Sequence, residues 1–183
     1  HLGTATALLV YFRQDWIDLL AAAAGLGRPE HRARERRLLG RLVLGTLPAV
    51  GVGLALNSFL RHLFGSPMVA AAFLLVNGAV LAAGERLRRR AGSGSLDELS
   101  LRDALLIGCW QCTALIPGIS RSGATMVGGL LAGLRHEAAA RLSFLLATPI
   151  IIGAAALEIP KMLRLSGLGS FTLLAVVGGV VAG

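Results

Sequence analysis

Nine residues in the second half of the chain determine how it folds: Pro117-Gly118-Ile119-Ser120-Arg121-Ser122-Gly123-Ala124-Thr125. Arg121 is the only charged side chain between Asp103 and Arg135, within a long apolar part of the chain. A charge at bilayer depth costs several kcal/mol, about 3 kcal/mol on insertion scales. An arginine in this setting therefore marks a candidate functional site.

Pro117 and Gly118 interrupt the segment from Leu101 to Leu134 near its middle. Proline lacks an N–H donor and clashes with the preceding turn, while glycine adopts turn conformations that other residues resist. The sequence thus predicts two half-helices of roughly 15 residues, each about 22 Å long. Because neither can cross a bilayer alone, we expect residues 101–134 to form a re-entrant pair that enters and leaves the membrane by the same face.

The composition is that of an integral membrane protein. Of the 183 residues, 55% are hydrophobic and 15% are charged, and the mean hydropathy is +0.71. The net charge of +8 could suggest nucleic acid as a partner. However, the arginines form short clusters between apolar runs, which is typical of membrane-protein loops. We therefore expect the lipid bilayer, and no nucleic acid, as a partner.

Four uncharged runs predict membrane-spanning helices in an all-α, polytopic helical bundle that forms a single membrane domain over residues 1–183. They are Leu42–Leu60, Leu63–Gly84, Leu142–Leu157 and Leu165–Gly183. The sequence starts at His1 without a methionine and stops inside an apolar run. We therefore expect it to be a fragment of a longer chain, truncated at both ends.

The basic clusters predict the orientation of the helices. Six arginines between Arg28 and Arg41 precede the first span, and four between Arg86 and Arg90 follow the second. Two crossings separate these clusters, so that both fall on one side, which the positive-inside rule makes cytoplasmic. A re-entrant 101–134 pair returns Arg135 and Arg141 to the same side, whereas a single span would place them opposite.

The residues after the break predict a phosphate site. Ser120 is a suitable N-cap, and the free N–H groups and positive dipole of the following helix attract anions. Arg121 adds a planar fork of donors, and helical spacing puts Ser122 and Thr125 on neighbouring rows. In the alternative interpretation, Arg121 pairs with a buried carboxylate or with backbone carbonyls, and the hydroxyls only pack.

Other small and polar residues carry weaker predictions. Gly129 and Gly133 have the GxxxG spacing that permits close helix packing. Cys109 and Cys112 form a CxxC pair, which we interpret as two small membrane residues in preference to a redox or metal site. The polar residues within spans are predicted interhelical hydrogen-bond partners: Asn57, Asn77 and Thr148.

The segment 117–125 matches the PGxSRSxxT signature of the undecaprenyl-diphosphatase family, also called bacitracin-resistance proteins, and the resemblance continues to Pro149. It implies hydrolysis of undecaprenyl diphosphate to undecaprenyl phosphate, which recycles the carrier lipid for peptidoglycan synthesis. It also implies a multi-pass protein of the bacterial cytoplasmic membrane, built from two inverted repeats. The residues implied to hold the diphosphate are Ser120, Arg121, Ser122, Gly123 and Thr125, with Ser120 and Arg121 also catalytic.

His1-Leu2 resembles the end of the family's first re-entrant turn, which implies that His1 is the active-site acid/base. The family's acidic motif would then precede His1. The resemblance also implies a divalent cation, Mg²⁺ or Ca²⁺, whose acidic ligands would lie in that preceding part. The sequence leaves open a homo-oligomer and two other functions: a transporter or flippase for a phosphorylated lipid or small anion, and a noncatalytic membrane subunit.

Overall fold

The computed structural model describes residues 2–89 and 92–165 and is all-helical over this range. The predicted all-α class is confirmed for these residues. Only Leu165 of the predicted Leu165–Gly183 span is described. The described part contains eight α-helices: α1 (Leu2–Tyr11), α2 (Arg13–Ala23), α3 (Pro29–Ala55), α4 (Asn57–Phe64), α5 (Pro67–Arg88), α6 (Leu101–Cys112), α7 (Arg121–Leu131) and α8 (His136–Leu165).

Helices α3 and α5 are long and apolar enough to cross a membrane. In the most apolar 18 residues of each helix, only 22% of α3 and 11% of α5 is buried. The core helix of a soluble protein would be mostly buried. Large apolar side chains such as Met68 and Leu75 lie on the outside, with exposed fractions of 79% and 80%. These surfaces fit a hydrocarbon environment. Helix α8 contains the predicted span Leu142–Leu157.

Two predicted helix boundaries are wrong. The chain turns at Leu56, so that α3 ends at Ala55 and residues 57–60 of the predicted first span belong to the short helix α4. The second span begins at Pro67 and not at Leu63, because Ser66 caps α5 by accepting a hydrogen bond from the Val69 N–H. Apolar character continues across both turns, and a hydropathy run therefore does not locate them.

Residues 101–134 form a hairpin of two helices, which confirms the predicted break. A 3-10 turn over Thr113–Leu115 follows α6, and Gly118 has a φ of +96°. At the other end of the hairpin, the Gly94 N–H donates to the Gly133 carbonyl at 3.2 Å and the Arg135 N–H donates to the Gly94 carbonyl at 2.9 Å. The end of the segment therefore lies against the loop that precedes α6.

The two half-helices are shorter than predicted, with 12 residues in α6 and 11 in α7 against the expected 15. The 3-10 turn and the linker before Ser120 take up the difference. At 1.5 Å per residue, α6 is about 18 Å long and α7 about 16 Å. Ser100, whose hydroxyl accepts from the Asp103 N–H at 3.1 Å, caps α6.

The basic clusters gather at one end of the bundle, as predicted. Arg41 donates to the Leu96 carbonyl at 3.0 Å, and Arg34 forms an ion pair with Asp97 at 2.6 Å. The same loop contains Gly94, which is bonded to Arg135. We refer to this end as the basic end.

Glycines allow the hairpin to pack closely on its neighbours. A Cβ on Gly108 would lie 2.4 Å from the Gly45 carbonyl oxygen, so α6 approaches the backbone of α3. Gly129 packs α7 against Ala139 of α8, as the GxxxG spacing predicts. The prediction for Gly133 is wrong: with a φ of +82° it ends α7 in a Schellman-type cap, in which the Leu134 N–H donates to the Gly129 carbonyl.

Candidate anion-binding site

The turn between the half-helices is fixed against α5. The Ile119 N–H donates to the Ile116 carbonyl at 3.2 Å, with Pro117 and Gly118 at the two central positions, as in a type II turn. A Cβ on Gly118 would lie 2.4 Å from the Ala70 carbonyl oxygen. Glycine is therefore required here both for its positive φ and for its contact with the backbone of α5.

Ser120 is the N-cap of α7, as predicted. Its hydroxyl accepts a hydrogen bond from the Gly123 N–H at 3.2 Å, and its own N–H donates to Oδ1 of Asn77 at 2.9 Å. The next two N–H groups, of Arg121 and Ser122, have no acceptor among the described residues. They are orphan donors at the positive end of a helix, which is a favourable place for an anion.

This helix end lies halfway along α5. Asn77 is ten residues after Pro67 and eleven before Arg88, the two ends of α5. At 1.5 Å per residue, Asn77 is about 15 Å from each end of α5. The start of α7, which is bonded to Asn77, therefore lies at the middle of a helix that is long enough to span a membrane. Orphan donors at this depth are costly unless a ligand or a watery cavity satisfies them.

The guanidinium of Arg121 lies between α7 and α8 and is half-buried. Its Nη1 donates to the Ala147 carbonyl at 3.0 Å. Within the described residues no carboxylate forms an ion pair with Arg121. The alternative, in which Arg121 pairs with a buried carboxylate or with backbone carbonyls, is therefore confirmed only in part. One carbonyl accepts from one guanidinium N–H, and the other N–H groups and the charge have no protein partner among the described residues.

The three hydroxyls of the segment point in two directions. Ser120 Oγ and Ser122 Oγ are 3.3 Å apart beside the free N–H groups. Thr125 Oγ1 instead lies 2.6 Å from Ser143 Oγ and donates to the Arg121 carbonyl at 2.9 Å. Thr125 is buried, with 1% of its surface exposed, and it joins α7 to α8. Direct contact between Thr125 and a ligand stays a prediction.

Gly123 has a supporting position. Its N–H is used by the Ser120 cap, and a Cβ at this position would lie 2.6 Å from Cδ2 of Leu81. The absence of a side chain lets the first turn of α7 approach α5. Gly123 therefore helps to place the orphan N–H groups of Arg121 and Ser122.

The sequence also draws attention to His1 and to the two cysteines. His1 lies outside the described residues. Cys109 and Cys112 are free thiols, and Cys112 Sγ donates to the Gly108 carbonyl of its own helix at 3.4 Å. Among the described residues no group of three His, Cys, Asp or Glu side chains could hold a metal ion.

Three residues from other helices complete the cluster: Asn77, Ser143 and Ala147. The prediction of Asn77 as an interhelical partner is confirmed. Thr148 is different, because its hydroxyl donates to the Phe144 carbonyl of its own helix at 3.3 Å. Ser143 could be predicted as a member of the cluster, because it is a polar residue in an apolar run. The Ala147 carbonyl could not, because every residue has a carbonyl group.

The sequence model of the family described as "Bacitracin resistance protein BacA" matches residues 1–183. The chain belongs to the BacA family. It is 55% identical to an undecaprenyl-diphosphatase of Acidiphilium cryptum, over all of the chain and 67% of that protein. It is 51% identical to one of Granulibacter bethesdensis, over 90% of the chain and 60% of that protein. With one of Gluconacetobacter diazotrophicus the identity is 44%, over all of the chain and 65% of that protein.

The chain spans 60% to 67% of the length of these three curated BacA-family relatives. The matched part includes the whole hairpin of α6 and α7 and the helices α5 and α8 that flank it. The alignment with BacA-family relatives therefore includes the orphan N–H groups of α7 and the guanidinium of Arg121.

Proposed function

We propose that this chain holds the diphosphate in an undecaprenyl-diphosphate phosphatase. In this reaction, water attacks the terminal phosphorus, the anhydride P–O bond breaks, and undecaprenyl phosphate and inorganic phosphate are released. The names of the relatives and the chemistry of the α7 N-terminus support the same ligand class. The product would be the carrier lipid that is reused in peptidoglycan synthesis.

The observation that carries the proposal concerns the guanidinium of Arg121 and two backbone N–H groups at the start of its helix. Among the described residues the guanidinium has one carbonyl partner and no carboxylate, and the two N–H groups have no acceptor. A diphosphate supplies the acceptors that these donors lack, and the fork of arginine suits phosphate oxygens in a bidentate arrangement. Donors that are fixed before the reaction stabilise the charge that develops on the phosphoryl oxygens. Such a donor contributes about 10²- to 10³-fold in turnover.

The hairpin geometry supports a re-entrant position for α6 and α7. Neither helix is long enough to cross about 30 Å of hydrocarbon, and the residues that follow α7, Gly133 and Arg135, are hydrogen-bonded to Gly94 in the loop before α6 at the basic end. Irregular backbone at this depth requires protein or a watery cavity around it. We place the basic end in the cytoplasm of a bacterium, in a multi-pass protein of the cytoplasmic membrane, by the positive-inside rule.

The inverted repeat, the acid/base role of His1 and the divalent cation are parts of the proposal that depend on the family resemblance. Since the described residues contain no three-ligand group, they do not fit a Mg²⁺ or Ca²⁺ ion by themselves. We therefore assign no step to a metal. The described residues bind and orient the diphosphate, and a general acid/base would have to approach its terminal phosphate.

Phosphate release by the full-length protein that contains this chain tests the proposal. Purified protein in detergent should release inorganic phosphate from undecaprenyl diphosphate, and Arg121→Ala should lose at least about 10²-fold in kcat/KM. Arg135→Ala is the matched control, because Arg135 is exposed and forms only a loose ion pair at 3.9 Å. Wild-type protein that binds or exchanges the lipid without releasing phosphate would favour the transporter or flippase.

Arg121→Lys separates charge from geometry. Lysine keeps the positive charge but loses the planar fork, so that we expect a large loss of turnover with normal insertion into the membrane. Insertion is checked by the yield of folded protein in size-exclusion chromatography. Near-normal hydrolysis by Arg121→Lys would contradict direct bidentate contact with phosphate.

A further inference from the structure

Asn77 is the only residue with a polar side chain between Pro67 and Gly84 in α5. An amide in a membrane-spanning helix carries an energetic cost unless its polar atoms are bonded. Asn77 is half-buried and lies at the midpoint of this helix, level with the start of α7. Its position calls for a partner for each of its polar atoms.

One end of the amide is already engaged. Oδ1 of Asn77 accepts from the Ser120 N–H at 2.9 Å. This orientation is fixed by chemistry, since a backbone N–H can only donate and therefore must face the oxygen and not the amide nitrogen. Asn77 thus holds the residue that caps α7, and through it the orphan N–H groups of the first turn.

The other end of the amide has no partner in the part of the chain that the structure describes. Nδ2 carries two N–H donors, and no acceptor for them lies among the described residues. This nitrogen is bonded to the same carbon as Oδ1, so it lies beside Ser120 at the edge of the orphan N–H groups. Nδ2 is not completely enclosed by protein atoms, so that a ligand can reach it.

We propose that Asn77 is a further diphosphate-binding residue, in which Oδ1 positions Ser120 while Nδ2 donates to a phosphate oxygen. This inference rests on the proposed function, because it takes the diphosphate as the ligand of the α7 N-terminus. Three kinds of donor then converge from two helices: the guanidinium of Arg121, the backbone N–H groups of α7 and the amide of Asn77. An anchor that acts only on structure would need Oδ1 alone.

Asn77→Asp distinguishes these roles. Aspartate keeps an oxygen that accepts from the Ser120 N–H, but it replaces both donors by a negative charge that repels the diphosphate. The probe is a methylene-bridged bisphosphonate analogue of the polyprenyl diphosphate, bound to the full-length protein in nanodiscs. We expect the Kd to rise about tenfold or more, the effect of a lost charge-assisted hydrogen bond. Asn57→Asp is the control, since Asn57 is exposed at the start of α4.

Two further variants complete the test. Asn77→Leu removes both functions and should lower the Tm as well as the affinity. Asn77→Thr adds no charge and keeps one hydroxyl, which carries a single donor in place of two; it should weaken binding by less than Asn77→Asp. Asn77→Leu, which has no donor, decides the question if Asn77→Asp does not fold. A folded Asn77→Asp or Asn77→Leu that binds the analogue within about twofold of the wild type would overturn the inference.

The outcome is separable from that of the proposed function. If the wild type binds the analogue, the Asn77 variants weaken binding and no phosphate is released from the diphosphate lipid, the enzymatic proposal fails and the role of Asn77 stands. If the wild type hydrolyses the lipid and the Asn77→Asp variant has an unchanged KM and kcat, the role of Asn77 fails alone.

Discussion

At the scale of single residues, Arg121 is half-buried and has one carbonyl partner, so that most of its hydrogen-bonding capacity is unused within the described protein. The sequence predicts the charge and the cap before it, because both depend on local order along the chain. It does not predict Ala147 as a partner, because any residue has a carbonyl and only the packing of α8 brings this one near.

Gly118→Ala tests the turn that places Arg121. Alanine disfavours the φ of +96°, and its Cβ would lie 2.4 Å from the Ala70 carbonyl oxygen of α5. We expect a loss of about 1–3 kcal/mol in stability and a larger proportional loss of phosphate release, because the N-terminus of α7 shifts. Thermal unfolding in detergent and a phosphate assay measure the two effects.

Gly51→Ala is the control for this substitution. Gly51 lies in α3, and no neighbouring atom comes within 4 Å of the position that a Cβ would take there. Alanine should therefore be tolerated or slightly stabilising at this position. Equal Tm values for Gly118→Ala and Gly51→Ala would show that the turn is not held as described.

At the scale of elements, α7 is fixed to α5 by the Asn77–Ser120 bond and to α8 by Thr125 and Ser143. The break at Pro117 and Gly118 is predictable because both residues act on the local backbone. The lengths of the half-helices and the cap at Gly133 are not predictable in this way. A GxxxG packing motif and a Schellman-type helix end would both use Gly129 and Gly133, and only the observed end of α7 at Leu131 distinguishes the two.

A double-mutant cycle on Thr125→Val and Ser143→Ala measures the connection between α7 and α8. The two hydroxyls are 2.6 Å apart and buried, and because Thr125 donates its proton to the Arg121 carbonyl, Ser143 donates to Thr125. We expect a coupling of about 0.6–1.7 kcal/mol, the range for hydrogen bonds between membrane helices. Additive effects on the free energy of unfolding would contradict the contact.

At the scale of the whole molecule, the basic end collects the start of α3 around Arg34 and the loops around Gly94 and Arg135, while α3 carries the chain away to α4 at the other end. The charge distribution predicts this arrangement because the number of crossings between clusters fixes their side. The division of the first span at Leu56 is not predictable in the same way, since the residues on both sides of it are apolar.

Cysteine labelling tests this arrangement in membranes. Arg37→Cys and Arg135→Cys should react with an impermeant maleimide from the same side, and Ser58→Cys from the opposite side. The background is Cys109→Ala with Cys112→Ala, which should retain wild-type turnover because neither thiol has a catalytic or metal partner in the described structure. Labelling of Arg135→Cys from the side of Ser58→Cys would mean that residues 101–134 cross the membrane once.

The distance between the guanidinium nitrogens of Arg121 and the phosphorus atoms of the bound bisphosphonate analogue tests directly whether this arginine holds the diphosphate. Solid-state ¹⁵N–³¹P dipolar recoupling on full-length protein in lipid bilayers measures it, with Arg121→Lys to assign the signal. We predict a separation of about 4 Å, as expected for a direct N–H···O–P hydrogen bond. Saturating binding of the analogue without ¹⁵N–³¹P dephasing at Arg121 would contradict the account.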